Sequence, residues 1–162
     1  MPNPLAQQAL LSGFPWGTEV KIVKTGKVTA MRLILTALLF LFGLFNLLLG
    51  IGFLLDPASM QTNFPVTASG PAGMAVLRAD LTAFFLVAGG CQLWGGWRRN
   101  GDLLLVPGLL MGIAFTGRLV SAAMDGTAPG FAVPMAVEAV QVALAYAAWR
   151  VLPHHRISEI AG

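Results

Sequence analysis

Arg118 stands inside an apolar run that begins at Leu103, in the stretch TGRLVSAAMDG (116–126), with Asp125 where the run ends. A guanidinium stays protonated in a protein, so burying one in hydrocarbon is a fixed cost that its neighbours must offset. Three more charges share that situation: Arg78 and Asp80 near the start of the second apolar run, and Glu138 inside the fourth. The signs balance, two arginines against two carboxylates. Ser121 lies one helical turn from Arg118 and Gln141 one turn from Glu138, where each can hydrogen-bond to the set. Such a group of side chains can do one of three things. It can lock helices together as a buried ion-pair network. It can hold a polar headgroup, an anion or a proton. Or it can work as acid and base on a lipid-soluble substrate, with Glu138 or Asp80 as the titrating group.

Other chemistries lack their residues. No His lies within an apolar run, and no Gly-rich phosphate loop, His/Cys ligand spacing or nucleophile elbow appears. Cys91, the single cysteine, sits in an apolar run and reads as a small hydrophobe, with no second cysteine for a disulfide or a metal site. His154 and His155 read as part of a solvated tail. No metal and no cofactor is predicted.

The elements that must carry these charges are membrane spans. Hydrophobic residues make up 56% of the 162 positions and charged residues 10%, against roughly 45–50% and 25% in soluble domains. Four apolar runs, 31–55, 74–97, 103–124 and 131–152, each reach the roughly 20 residues needed to cross a bilayer. The fold class expected is therefore all-α, an integral membrane four-helix bundle over 31–152. Residues 1–30 form a cytoplasmic or interfacial extension and 153–162 a cytoplasmic tail. Within the extension, residues 4–11 can form a short helix broken at Gly13 and Pro15, with Phe14 and Trp16 at the membrane interface. The apolar run that follows is too long for a signal-peptide core.

Small and amide residues mark the faces on which these helices pack. Gly43, Asn46 and Gly50 share one face of the first span, with Asn46 as an interhelical hydrogen-bonding residue. Gly89 and Gly90 allow close approach to the second span, and Gly108 and Gly112 to the third. The segment 56–73, rich in Pro, Ser, Thr and Gly, reads as a surface loop, part of which folds back over the bundle end. Residues 98–102 (RRNGD) make a tight charged turn.

Basic residues orient the chain. Lys21, Lys24, Lys27 and Arg32 precede the first span, Arg98 and Arg99 join the second to the third, and Arg150 and Arg156 follow the fourth. The other two loops carry none, so the positive-inside rule predicts both termini in the cytoplasm. This placement also accounts for the net charge of +3 without nucleic acid as a partner. With that threading, depth follows from about 1.5 Å of rise per residue. Arg118 and Glu138 each lie about 10 Å below the outer surface, Asp80 about 9 Å and Arg78 about 6 Å. All four share one layer, capped by Asp125. Arg78 and Asp80, two apart, cannot pair on one face. Interhelical pairing is expected, Arg118 with Glu138 first, and Arg78 or Arg118 with Asp80 next.

Arg78-Ala79-Asp80, the Gly89-Gly90 pair, the run from Gly117 to Ser121, Asp125-Gly126 with Pro129, and Glu138 together resemble a domain-of-unknown-function family of small four-helix bacterial membrane proteins. The likeness covers 31–152. It implies a bacterial inner-membrane location and assigns no activity. A looser likeness, at the level of fold alone, extends to other four-helix membrane families, the DoxX-like proteins among them.

The function expected is that of a non-enzymatic accessory or assembly subunit, with the bilayer and either a membrane-protein partner or further copies of the chain around it. The alternatives are a small-ligand or ion- or proton-coupled binding protein built on the charged layer, and a membrane enzyme on a lipid-soluble substrate.

Overall fold

A computed structural model describes the backbone of residues 16–62, 64 and 66–153 and, within those, the side chains from residue 29 onward. The expected helix at 4–11, the interfacial placement of Phe14 and Trp16 and the tail from His154 lie outside the described residues. The described residues are helical throughout, apart from their connections. In order they form α1 (Trp16–Leu55), α2 (Pro57–Gln61), α3 (Gly70–Val76), a π-helical turn (Leu77–Leu81), α4 (Thr82–Arg98), a 3-10 turn (Asp102–Leu104), α5 (Leu105–Met124) and α6 (Ala132–Val151). Four stretches are long and apolar enough to cross a membrane: Thr29–Leu55, Gly70–Arg98, Asp102–Met124 and Ala132–Val151. The chain divides into two compact units, Met1–Ile34 and Leu35–Gly162.

Burial follows helical periodicity. On α1 the buried positions are Leu35, Leu39, Gly43, Asn46, Gly50 and Phe53, spaced by three and four, the pattern of one helix face turned to a core. On α6 they are Glu138, Gln141, Leu144, Ala145 and Ala148. Leu35, Leu39, Leu104, Leu144, Ala148 and Leu152 form the apolar cluster at one end of the bundle. At the other end Phe53, Phe64 and Phe85 pack together, with ring centroids 5.1 Å apart for Phe53 and Phe64 and 5.9 Å for Phe53 and Phe85. Phe64 belongs to the connection after α2, so this loop does turn back onto the bundle.

The segment 56–73 differs from the expectation in two ways. The helical stretch of the second span begins at Gly70, not at 74, because Pro71 occupies the first turn, where its missing N–H costs nothing. Part of the expected loop is helical as well. Asp56 caps α2, its carboxylate accepting from the Ser59 N–H at 3.1 Å and the Ser59 hydroxyl at 2.6 Å. Those bonds hold the Asp56 carboxyl below its ordinary range, the Ser59 hydroxyl contributing most. The tight turn at 98–102 closes α4 through Arg99, whose φ of 51° is left-handed. The Asn100 N–H then reaches back to the Gly95 carbonyl at 2.9 Å. The Asn100 side-chain oxygen accepts from the N–H groups of Asp102 and Leu103, starting the next helix.

Candidate functional site

Glycine brings α1 and α4 together. A Cβ at Gly89 would lie 2.6 Å from the Gly43 carbonyl oxygen and 2.9 Å from the Leu47 nitrogen, closer than backbone atoms allow. A Cβ at Gly43 or Gly50 would lie 2.8 Å from the side chain of Leu93 or Leu86, respectively. A Cβ at Gly108 would lie 3.1 Å from the Ala145 Cβ and one at Gly112 3.9 Å from Val142, so both glycines face α6. Gly90 is the exception: a Cβ there would meet nothing within 4 Å, so it takes no part in helix packing. It sits one residue, about 100° of rotation, beyond the face that Gly89 turns to α1.

That close approach sets three amides against one another. Asn46 Nδ2 donates to Gln92 Oε1 at 2.9 Å and to Gln141 Oε1 at 2.7 Å, and Gln92 Nε2 donates to the same Gln141 oxygen at 2.9 Å. All three side chains are buried. The junction ties α1, α4 and α6 together, and every bond in it crosses between helices. The Asn46 amide uses both of its hydrogens, while its Oδ1 is buried without a partner. Gln92 was missed by reading the sequence. Its signal was available: an amide in mid-span, three residues after Gly89 and so on the same face, costs too much in hydrocarbon to be left unpaired. Gln141 accordingly bonds to Asn46 and Gln92, and no bond joins it to Glu138.

One turn before Gln141 on α6, Glu138 Oε1 accepts from Arg118 Nε at 2.8 Å. The two side chains differ in exposure, 10% for Glu138 and 34% for Arg118. The second carboxylate oxygen, Oε2, is buried with no hydrogen-bond partner. The pair joins α5 to α6 alone.

The other members of the expected layer lie elsewhere. Arg78 Nε donates to the Leu54 carbonyl at 3.1 Å, which puts its guanidinium level with the end of α1. The last-turn carbonyls of a helix lack partners and carry partial negative charge, and α1 has no basic residue of its own in that turn. Arg78 is therefore the C-terminal cap of a neighbouring helix. Asp80 and Ser121 are exposed. Asp125 is exposed and ends α5, its N–H bonding the Ser121 carbonyl at 2.7 Å. The expectation of one layer of four charges from three helices is thus corrected to one ion pair between two helices. Counting residues gave depth, but the direction each side chain faces depends on how the helices rotate. The π-helical turn at Leu77–Leu81, which holds both Arg78 and Asp80, alters that rotation within the second span.

Among the described residues no three His, Cys, Asp or Glu side chains come together as metal ligands would. The arrangement offers one carboxylate with a bare buried oxygen and a bare amide oxygen on the opposing helix. Both are acceptors, so the chemistry they invite is that of a proton or a hydrogen-bond donor. Comparison with known proteins adds no further constraint, since no protein-family model, curated protein or solved structure matches this chain.

Proposed function

We propose that this chain is a non-enzymatic membrane protein, an accessory or assembly subunit of the bacterial inner membrane, with both termini in the cytoplasm. The observation that carries the reading is the amide junction. The most deeply buried polar side chains, Asn46, Gln92 and Gln141, bond one another across three helices, which is how a scaffold uses polar groups. The orientation rests on the basic residues before the first span and between the second and third. Around the scaffold, Leu109, Ile113, Val120 and Met124 form an exposed apolar ridge on one face of α5, with Gly117 in its middle, where a partner helix can pack closely. The resemblance to the small four-helix family of unknown function fits the same reading.

The test is extraction of the tagged full chain in mild detergent, followed by mass spectrometry of stoichiometric companions. A partner or a defined oligomer retained by the wild type and lost in Gly117→Leu supports the reading. A chain that is monomeric and unaccompanied in both sinks it.

A second reading, proton-coupled or ligand-coupled binding, is favoured by the bare Glu138 Oε2. It expects Glu138→Gln to leave the folded yield intact while abolishing proton uptake by reconstituted vesicles. Equal uptake by the two proteins excludes it.

A further inference from the structure

Gly89 and Gly90 are neighbours in sequence, and the space denied at one is open at the other. The vacancy over Gly90 is the floor of an open groove of about 370 Å³ lined by Phe40, Gly90, Leu93, Trp94 and Trp97, within the roughly 300–1,000 Å³ of small-molecule sites. Phe40 from α1 and Trp97 from α4 form its walls, their ring centroids 6.4 Å apart. Every lining residue is apolar. The groove leads to the last turn of α4, and there the chemistry changes. The Arg98 guanidinium lies 5.3 Å over the Trp94 ring, a cation–π contact that holds it above the slot. Arg99 follows in its left-handed conformation. Both arginines are exposed, and among the described residues neither is paired with a carboxylate.

An open apolar groove that ends at the Arg98 guanidinium, with Arg99 next in sequence, matches the chemistry of one kind of bilayer molecule. We propose that this groove is a binding site for an anionic phospholipid, with an acyl chain lying over Gly90 and the phosphate held by Arg98 and Arg99. Guanidinium groups bind phosphate through paired N–H donors, and Trp94 and Trp97 stand where amphipathic rings favour the headgroup level. A zwitterionic lipid would fill the slot but bring no net charge to the two arginines. A partner helix, about 10–12 Å across with its side chains, would match the arginines only by carrying a carboxylate of its own to that point, whereas an anionic lipid brings the charge with its headgroup. The charge at the slot's end therefore decides for the anionic lipid.

The test uses the purified full chain in mild detergent, offered equal amounts of phosphatidylglycerol and phosphatidylcholine with identical acyl chains, and read by native mass spectrometry. The expected result is a one-to-one phosphatidylglycerol adduct that survives where phosphatidylcholine is lost. In Arg98→Gln/Arg99→Asn, Asn being suited to the left-handed position, retention should fall by roughly 25-fold, at roughly fivefold per basic side chain near an anionic surface. Gly90→Leu fills the floor of the groove and should lower retention of phosphatidylglycerol with both arginines in place. A second readout does not need that variant to fold. Phosphatidylglycerol with brominated chains should quench Trp94 and Trp97 in a Trp16→Phe/Trp149→Phe background more strongly than brominated phosphatidylcholine does. Equal retention of the two lipids, unchanged retention in the double arginine variant, or equal quenching would overturn the proposal. So would a dimer mass, with no lipid, that Gly90→Leu abolishes, because that result seats a protein helix in the groove.

Discussion

The amide junction and the Arg118–Glu138 pair are both polar contacts between helices, and both involve α6, yet they are enclosed to different degrees. The three amides are buried almost completely. Of the ion pair, the carboxylate is buried while the guanidinium remains one-third exposed. Neutral amides can be enclosed because each brings donors and acceptors to the others and no net charge is desolvated. A charged pair loses far more hydration when enclosed, and here only the carboxylate is closed in by protein while part of the guanidinium surface is left uncovered. The junction also depends on the Gly43–Gly89 approach, which brings α1 and α4 to backbone contact. The ion pair bridges α5 and α6 with one flexible side chain and needs no such closeness.

The sharpest way to break this contrast is to separate the helices at the junction. Gly89→Val would set a branched side chain where even a Cβ lies 2.6 Å from the Gly43 oxygen. Folded, monodisperse protein in detergent should be lost, whereas Gly90→Ala should fold as well as the wild type or better by up to about 1 kcal/mol, the helix propensity difference. Equal behaviour of the two variants would remove the glycine seam from the account. Next in size is Gln141→Leu, which takes away the acceptor shared by Asn46 and Gln92. Leaving buried donors unpaired should destabilise by about 1–3 kcal/mol, measured by thermal unfolding in detergent, with Asn46→Leu added on top costing little more.

The ion pair should respond to a similar extent. Glu138→Ala is expected to destabilise by about 1.5–3 kcal/mol, the range for losing a hydrogen bond to a charged group. Adding Arg118→Leu should recover part of that loss, since an arginine left without its carboxylate costs more than no pair. Identical melting of the single and double variants would count against the pair as an energetic unit. The smallest effect is expected outside both regions, at Asp56. Its carboxyl is held below the ordinary value of 3.8, so the stability it contributes is complete above that value and is lost as pH falls through the lowered one. Asp56→Asn keeps a capping oxygen without the charge. Comparing its melting with the wild type between pH 7 and pH 3 should therefore show a difference that shrinks only at the acid end. A difference that stays constant over the range would assign the cap no ionic part.

The Arg118–Glu138 contact was readable in advance because both residues sit about seven positions from neighbouring span ends joined by a short turn, so rise alone puts them level. Asn46 was legible as an interhelical donor for a similar reason: an amide in mid-span has few other uses. Gln92 could have been found by the same argument. Arg78 could not, because its partner is a backbone carbonyl at the end of α1, and main-chain acceptors carry no residue type to search for.

Apolar length settled that four helices are long enough to cross a membrane, and three- and four-residue spacing settled which face of α1 turns inward. These are properties of one segment at a time, set by hydrocarbon thickness and helical pitch. Beyond the Arg118–Glu138 pair, which polar groups meet was decided only in the assembled bundle. Contact between helices depends on rotation about each axis as well as position along it, and rotation comes from how glycine, leucine and the π-helical turn fit against neighbours distant in sequence.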